Sequence, residues 1–115
     1  MRFKLRFSTR VVQDMKDALT YTFEQFGDKK HSEYKELIWR ALADIAANPN
    51  GPRAKSSPAI HADARILHIS RPGKRARHFF LYRVAENKPV YIGRLLHDSM
   101  DLKRHLPSGF DGGDS

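Results

Sequence analysis

The chain has 115 residues, the size of one domain, and its 21 Lys and Arg against 13 Asp and Glu give a formal net charge of +8. A composition of 40% hydrophobic and 30% charged residues is typical of a globular protein and excludes a disordered chain. Without cysteine there are no disulfides, zinc fingers or thiol catalysis. The sequence contains neither a signal-peptide core nor a membrane-spanning apolar run, so we expect a cytoplasmic protein with no membrane partner.

The first half of the chain predicts one strand and two helices. Apolar and basic residues alternate over positions 2–7, which indicates a strand with one buried face. Ser8 or Thr9 can cap a helix that ends at Gly27, and a second helix is predicted over about residues 28–47. The short connection favours an antiparallel helical hairpin.

The second half of the chain predicts a three-stranded meander. Strand-like segments cover residues 65–71, 77–84 and 89–96, and Pro72-Gly73 suits a type II turn between the first two. A short helix is predicted over residues 99–106, followed by Pro107. We therefore predict an α+β fold, with the helical hairpin packed on a mostly antiparallel sheet that the meander completes. Residues 1–107 form the single domain, and residues 108–115 are expected to be a flexible tail.

Two runs in the second half carry a family resemblance. They are Arg77-His-Phe-Phe-Leu-Tyr-Arg-Val84 and Ile92-Gly-Arg-Leu-Leu-His-Asp-Ser-Met-Asp-Leu-Lys-Arg-His-Leu-Pro107. Together they resemble the carboxy-terminal half of RelE/ParE superfamily type II toxins, and most of all the ParE branch, where a strand ends in Leu-His before a short helix rich in Met and Asp. Upstream, Phe26-Gly27, Tyr34 and Ala46-Ala-Asn-Pro49 agree, so the resemblance covers roughly residues 3–107.

The resemblance implies the toxin component of a type II toxin–antitoxin system, of the kind involved in plasmid stabilisation. ParE-like members inhibit DNA gyrase by binding and have no established reaction of their own, whereas RelE-like members are ribosome-dependent mRNA endonucleases. In both, a cognate antitoxin neutralises the toxin with its carboxy-terminal segment, here expected to be ParD-like and acidic, in a hetero-oligomer. Gyrase inhibition is the first expectation, mRNA cleavage the alternative, and a nucleic-acid-binding module without toxicity a third interpretation.

A nuclease would use Arg77, His78 and His97, because cleavage of RNA through its 2′-OH needs acid–base groups and cations that stabilise the phosphorane. Two departures from the nuclease members disfavour this interpretation. Phe79 lies at or beside the position where those members often carry an arginine, and the tail after Leu106 lacks their terminal cluster of basic and aromatic residues. No catalytic residue is therefore assigned.

His97 also has a structural interpretation, since a hydrogen bond to Asp98 or Asp101 would fix the turn after the last strand. A metal site with Asp101 and His105 would need all three residues on one helix face, and His97 precedes the predicted helix. We predict no metal and no cofactor.

The basic surplus is densest between Ala64 and Ala85, where six bases and no acid occur. Such a surplus predicts a polyanionic or acidic partner, and here we expect an acidic antitoxin segment first and nucleic acid second. There are two alternative explanations. The bases of the turn at residues 71–77 could simply be solvated, and Lys103 and Arg104 could interact with the dipole at the carboxyl end of the last predicted helix. The candidate antitoxin- and target-binding residues are Arg71, Lys74, Arg75, Arg77, Arg94, His97, Lys103 and Arg104.

Aromatic residues are expected in the core. Alternation places Phe80 and Tyr82 on one face of the sheet and Phe79 on the other, and one of these faces should pack against the helices rather than stack on RNA bases. By default we expect the helical aromatics to pack in the core or between the helices as well; they are Phe23, Phe26 and Trp39.

Overall fold

The computed structural model describes residues 2–99. Its elements in chain order are β1 (Leu5–Phe7), α1 (Thr9–Ala47), β2 (Lys55–Ser56), β3 (Ala64–His68), β4 (His78–Arg83) and β5 (Val90–His97). The five strands form one sheet in the order β1-β5-β4-β3-β2, in which β1 runs parallel to β5 and the other pairs are antiparallel. The predicted α+β class is confirmed, with a single long helix and a mixed sheet. Within residues 2–99 no helix has the length and hydrophobicity needed to cross a membrane.

Two predictions from the sequence concern residues after the last strand, at the end of the described range or beyond it. The predicted helix over residues 99–106, with Lys103 and Arg104, and the predicted tail over residues 108–115 lie outside the described residues apart from Ser99. By contrast, the short strand β2 lies between the predicted second helix and the predicted meander, where no strand is predicted. Two residues are too few to show an alternating pattern in the sequence.

Helix α1 starts at the predicted cap and is broken at the predicted glycine. The Ser8 hydroxyl accepts a hydrogen bond from the Val11 backbone N–H at 2.9 Å, satisfying one of the free donors of the first turn. At Gly27 the backbone leaves the helical region with φ 85° and ψ −173°, a conformation that glycine adopts without a Cβ clash. Across this break the rings of Phe23 and His31 lie 5.9 Å apart, whereas eight residues of straight helix would separate them by roughly 12 Å. The helical segment therefore bends sharply at Gly27.

The main core lies between α1 and one face of the sheet, and a second cluster lies on the other face. Alternation along β4 explains the division, because Phe80 and Tyr82 point to the helix side and Phe79 and Leu81 to the opposite side. All four side chains are at most 5% exposed. The sheet is thus buried on both faces along β4, which is why its sequence is continuously apolar.

The expectation that the helical aromatics lie in the core was wrong. Phe23, Phe26 and Trp39 are 50%, 63% and 59% exposed. The buried positions of the first half of α1 end at Thr22, so the residues that follow it up to the break have no sheet beneath them. Trp39 adjoins the buried Ile38, but one residue turns a helix by about 100°, which places the indole on the outward side.

Candidate functional site

The three residues that a nuclease would need meet at one end of the strands, where β4 begins and β5 ends. His78 at the start of β4 pairs directly with His97 at the end of β5, and their rings meet edge to face at 5.3 Å. Arg77 precedes His78, and its side chain reaches Asp98 just beyond β5. We call Arg77, His78, His97 and Asp98 the strand-end cluster.

Tyr34 joins this cluster from the second half of α1, which sequence reasoning missed. Its hydroxyl lies 2.5 Å from His78 Nδ1. Helical spacing from the buried Leu37 and Ile38 places Tyr34 on the inward side of the helix, which indicates burial but not a polar partner. The contact joins residues 44 positions apart in the chain and ties the helix to the sheet.

Burial holds both partners of this hydrogen bond in their neutral forms. Desolvation, with a smaller contribution from His97, lowers the pKa of His78 from 6.5 to about 4, against weaker opposing effects of Asp98 and Asp14. Desolvation also raises the pKa of the Tyr34 hydroxyl above 10.0. Near pH 7 a neutral phenol therefore meets a neutral imidazole, so His78 is not an available proton donor of the imidazolium type.

His97 is engaged by the turn that follows it. The Ser99 backbone N–H donates to His97 Nδ1 at 3.2 Å, and the Ser99 hydroxyl lies 2.8 Å from the same nitrogen. Because a backbone N–H can only donate, Nδ1 is the acceptor and the neutral ring carries its proton on Nε2. His97 thus fixes the end of β5, while its Nδ1 is not free to accept a proton from a substrate.

Arg77 is also engaged, although its side chain is 69% exposed. Its guanidinium donates to Asp98 Oδ1 at 3.1 Å, and its carbonyl accepts from the Asp98 backbone N–H at 2.8 Å. All three nuclease candidates therefore have partners within the protein. The geometry is that of a closed network which fixes the sheet edge.

The basic turn between β3 and β4, residues 71–77, is held at its base by Asp44 near the end of α1. That carboxylate accepts from both Arg71 and Arg53, the latter at 2.8 Å. Arg53 also donates to the carbonyls of His68 and Ser70, at 2.9 and 2.7 Å. The ion pairs therefore clamp the segment in which the turn begins.

The tip of the same turn presents two cations. Gly73 has φ 77°, as a type II turn requires at its third position, and Arg71 and Lys74 exchange backbone hydrogen bonds at 2.8 and 2.9 Å. Lys74 and Arg75 are exposed, and within residues 2–99 neither forms an ion pair. The predicted binding residues of the turn thus divide into Arg71 and Arg77, which are ion-paired at its two ends, and Lys74 and Arg75 at its tip.

Arg94 lies away from this surface. It is only 5% exposed, and its guanidinium donates to both oxygens of Asp14 on α1, at 2.8 and 3.1 Å. The same carboxylate accepts from the Leu95 backbone N–H at 3.0 Å. The sequence predicted Arg94 as a binding residue. Its ion pair was missed because strand periodicity carries no signal of a carboxylate 80 residues away in the chain.

Comparison with known proteins shows the family of the chain. A family model described as the ParE toxin of the type II toxin–antitoxin system, parDE, matches residues 5–102. The chain belongs to the ParE toxin family. Its fold is similar to one in the crystal structure of the toxin–antitoxin complex RelBE2 from Mycobacterium tuberculosis, with 18% identity and a TM-score of 0.51 over 84% of this chain and 99% of that chain. Among curated proteins no relative matches.

For this ParE-family chain we expect stability to fall on acidification because of His78. The pKa of His78 is about 4 in the folded state and near 6.5 when unfolded, so between these values the unfolded chain binds more protons. The contribution of His78 to stability is therefore complete above about pH 6.5 and is lost as the pH falls towards 4. Urea unfolding at several pH values should show this slope, and His78→Gln should flatten it.

A matched control separates this effect from general acid denaturation. His31→Gln changes a histidine outside the strand-end cluster, one that contacts only the Phe23 ring among the interactions found in residues 2–99. This variant should keep the wild-type slope between pH 6.5 and 4. Equal flattening by both substitutions would contradict the assignment to His78.

Proposed function

We propose that this ParE-family toxin acts in the cytoplasm by binding DNA gyrase rather than by cleaving RNA. One observation carries the choice between binding and cleavage. The candidate acid–base groups and the candidate cation are already engaged: His78 by Tyr34, His97 by Ser99 through its Nδ1, and Arg77 by Asp98. General acid–base catalysis needs a group that is within reach of the substrate and able to change protonation near the working pH. The strand-end cluster instead resembles a structural network.

An RNA endonuclease remains the second candidate function, because two imidazoles and a guanidinium do meet at one sheet edge. This reaction would require the ion pair between Arg77 and Asp98 to open, so that the guanidinium could stabilise a phosphorane. His97 would have to act through Nε2, because its Nδ1 accepts from the Ser99 backbone N–H. The two candidate functions therefore predict different consequences of changing His97.

We further propose that a ParD-like antitoxin with an acidic carboxy-terminal segment neutralises this chain. The structurally similar chain is part of the toxin–antitoxin complex RelBE2. Exposed large hydrophobic side chains mark surfaces that another polypeptide can cover, and α1 carries several of them. They are Val12, Tyr21, Phe23, Phe26 and Trp39. An antitoxin segment would bury these residues, and the candidate cations Lys74 and Arg75 would meet its acidic residues only where it extends past the helix.

The purified full chain is expected to inhibit supercoiling by gyrase or to trap cleaved DNA, and to leave mRNA intact in a translating extract. Supercoiling is measured on agarose gels, and mRNA ends are mapped by primer extension. Pre-incubation with the co-expressed antitoxin should abolish inhibition. His97→Ala should change gyrase inhibition only as far as it lowers stability, which unfolding curves measure.

Cleavage of translating mRNA that His97→Ala abolishes and His31→Ala preserves would overturn the gyrase proposal in favour of the endonuclease. Absence of both activities, together with unimpaired growth of bacteria that express the chain without antitoxin, would contradict both proposals and favour a non-toxic binding module.

A further inference from the structure

Charge is divided unevenly between the helix and the rest of the chain. Helix α1 carries six Lys and Arg against seven Asp and Glu, so it is close to neutral. Residues 48–99, which include β2 to β5, carry ten Lys and Arg against three Asp and Glu. The positive field of the protein therefore arises largely from the sheet and its connecting loops, with a smaller contribution from the three bases before α1.

Exposed apolar residues show the opposite distribution. Every exposed large hydrophobic side chain described lies between Phe3 and Trp39, and none lies within residues 48–99. A polypeptide partner normally docks through buried aromatic or aliphatic anchors, with polar contacts at the rim. The basic part of the described chain offers cations without such anchors.

A nucleic acid backbone needs no apolar anchor. Its phosphates are bound by Lys and Arg through an electrostatic term that does not depend on base sequence. Single strands, in contrast, are held by aromatic side chains on which their bases stack. Because the basic region exposes no aromatic residue, its chemistry fits a duplex better than a single strand or an acidic peptide.

The turn at residues 71–77 is a cationic feature of this region that ion pairs restrain at both ends. Asp44 forms an ion pair with Arg71, the first residue of the turn, and Asp98 forms one with Arg77, the last residue. The tip therefore presents Lys74 and Arg75 from a backbone that is fixed at both ends, which lowers the entropy lost on binding. A merely solvated turn has no need of such restraint.

We propose that the tip of this turn binds the phosphate backbone of a nucleic acid duplex through Lys74 and Arg75. The contact carries no base readout, and the ion-paired Arg53 and Arg77 hold the base of the turn. This inference does not rest on the identity of the toxin's target. It assigns the basic surplus first to a duplex, and it assigns the antitoxin to the exposed hydrophobic side chains of α1.

The test measures binding of the full chain to a 20-base-pair duplex by fluorescence anisotropy over a range of salt concentrations. Each phosphate contact contributes about −0.9 to the slope of log affinity against log salt, so Lys74→Gln/Arg75→Gln should make the slope less steep by about 2. The affinity of this double variant for the duplex at low salt should fall on the order of tenfold. Parallel DNA and RNA duplexes decide which duplex is preferred, and either preference supports the proposal.

Lys29→Gln/Lys35→Gln is the matched control, because it removes the same charge from exposed positions of α1. Its slope should equal that of the wild type. If the two double variants lost duplex affinity equally, net charge alone would explain binding and the proposal would be overturned. An unchanged slope in Lys74→Gln/Arg75→Gln would also overturn it. Binding of poly-glutamate that is as tight as duplex binding, and lost in the same variant, would overturn it in favour of an acidic polypeptide.

Discussion

Replacing Asp14 by alanine is expected to lower the free energy of unfolding by about 3–5 kcal/mol, the usual effect of removing one partner of a buried ion pair. The loss has two sources in this structure. Arg94 is only 5% exposed and would lose the carboxylate that pairs with its guanidinium. The Leu95 backbone N–H, which also donates to Asp14, would lose its acceptor at the edge of the sheet.

Asp17→Ala is the matched control one turn further along α1. Asp17 is exposed and accepts a hydrogen bond from the exposed Gln13 side chain, so its loss should change stability by less than about 0.5 kcal/mol. Both variants are measured by urea unfolding at pH 7. Replacing the pair together, as Asp14→Leu/Arg94→Met, should recover much of the loss, because well-packed apolar residues can replace a buried ion pair. Equal stability of the two alanine variants would contradict the importance of the pair.

Phe80→Ala is expected to cost about 3–5 kcal/mol, because it leaves a cavity in the main core. Phe80 is fully buried at the centre of β4, opposite Leu67 on β3 and Leu95 on β5. Phe26→Ala removes the same side chain from a position that is 63% exposed, so its effect on stability should stay within about 0.5 kcal/mol.

The same pair of variants tests where the antitoxin binds. If Phe26 belongs to the surface that the antitoxin covers, Phe26→Ala should weaken binding of the antitoxin while leaving the unfolding curve unchanged. A large loss of stability in Phe26→Ala would show that α1 is packed in solution next to its break at Gly27 and would contradict the exposure of Phe26.

Local features were readable from the sequence because their physical causes are local. The break at Gly27 follows from the freedom of glycine, the start of α1 from the hydroxyl of Ser8, and the turn between β3 and β4 from Pro72-Gly73. Alternation in the run that became β4 predicted its two faces, although not that both would be buried.

Features that depend on distant residues were not readable. The contact of Tyr34 with His78 and the pairing of Asp14 with Arg94 join elements whose spacing in the chain carries no signal. Exposure of Phe23 and Phe26 could not be foreseen either, because an amphipathic pattern identifies apolar residues but not what covers each of them. The candidate site was therefore predicted as a set of residue types, whereas the strand pairing that brings them together and the partners that hold them were not.

The pairing of β1 with β5 makes the beginning of the chain depend on the last described strand. β1 lies at one edge of the sheet, and β5 is its single strand partner among residues 2–99. Ser8 reinforces the connection, since its hydroxyl donates to the Gly93 carbonyl across a sequence separation of 85 residues. Closing so long a loop is entropically costly and typical of slow steps in folding. On the ribosome, the amino-terminal strand therefore stays without its strand partner until nearly the whole described chain has been made.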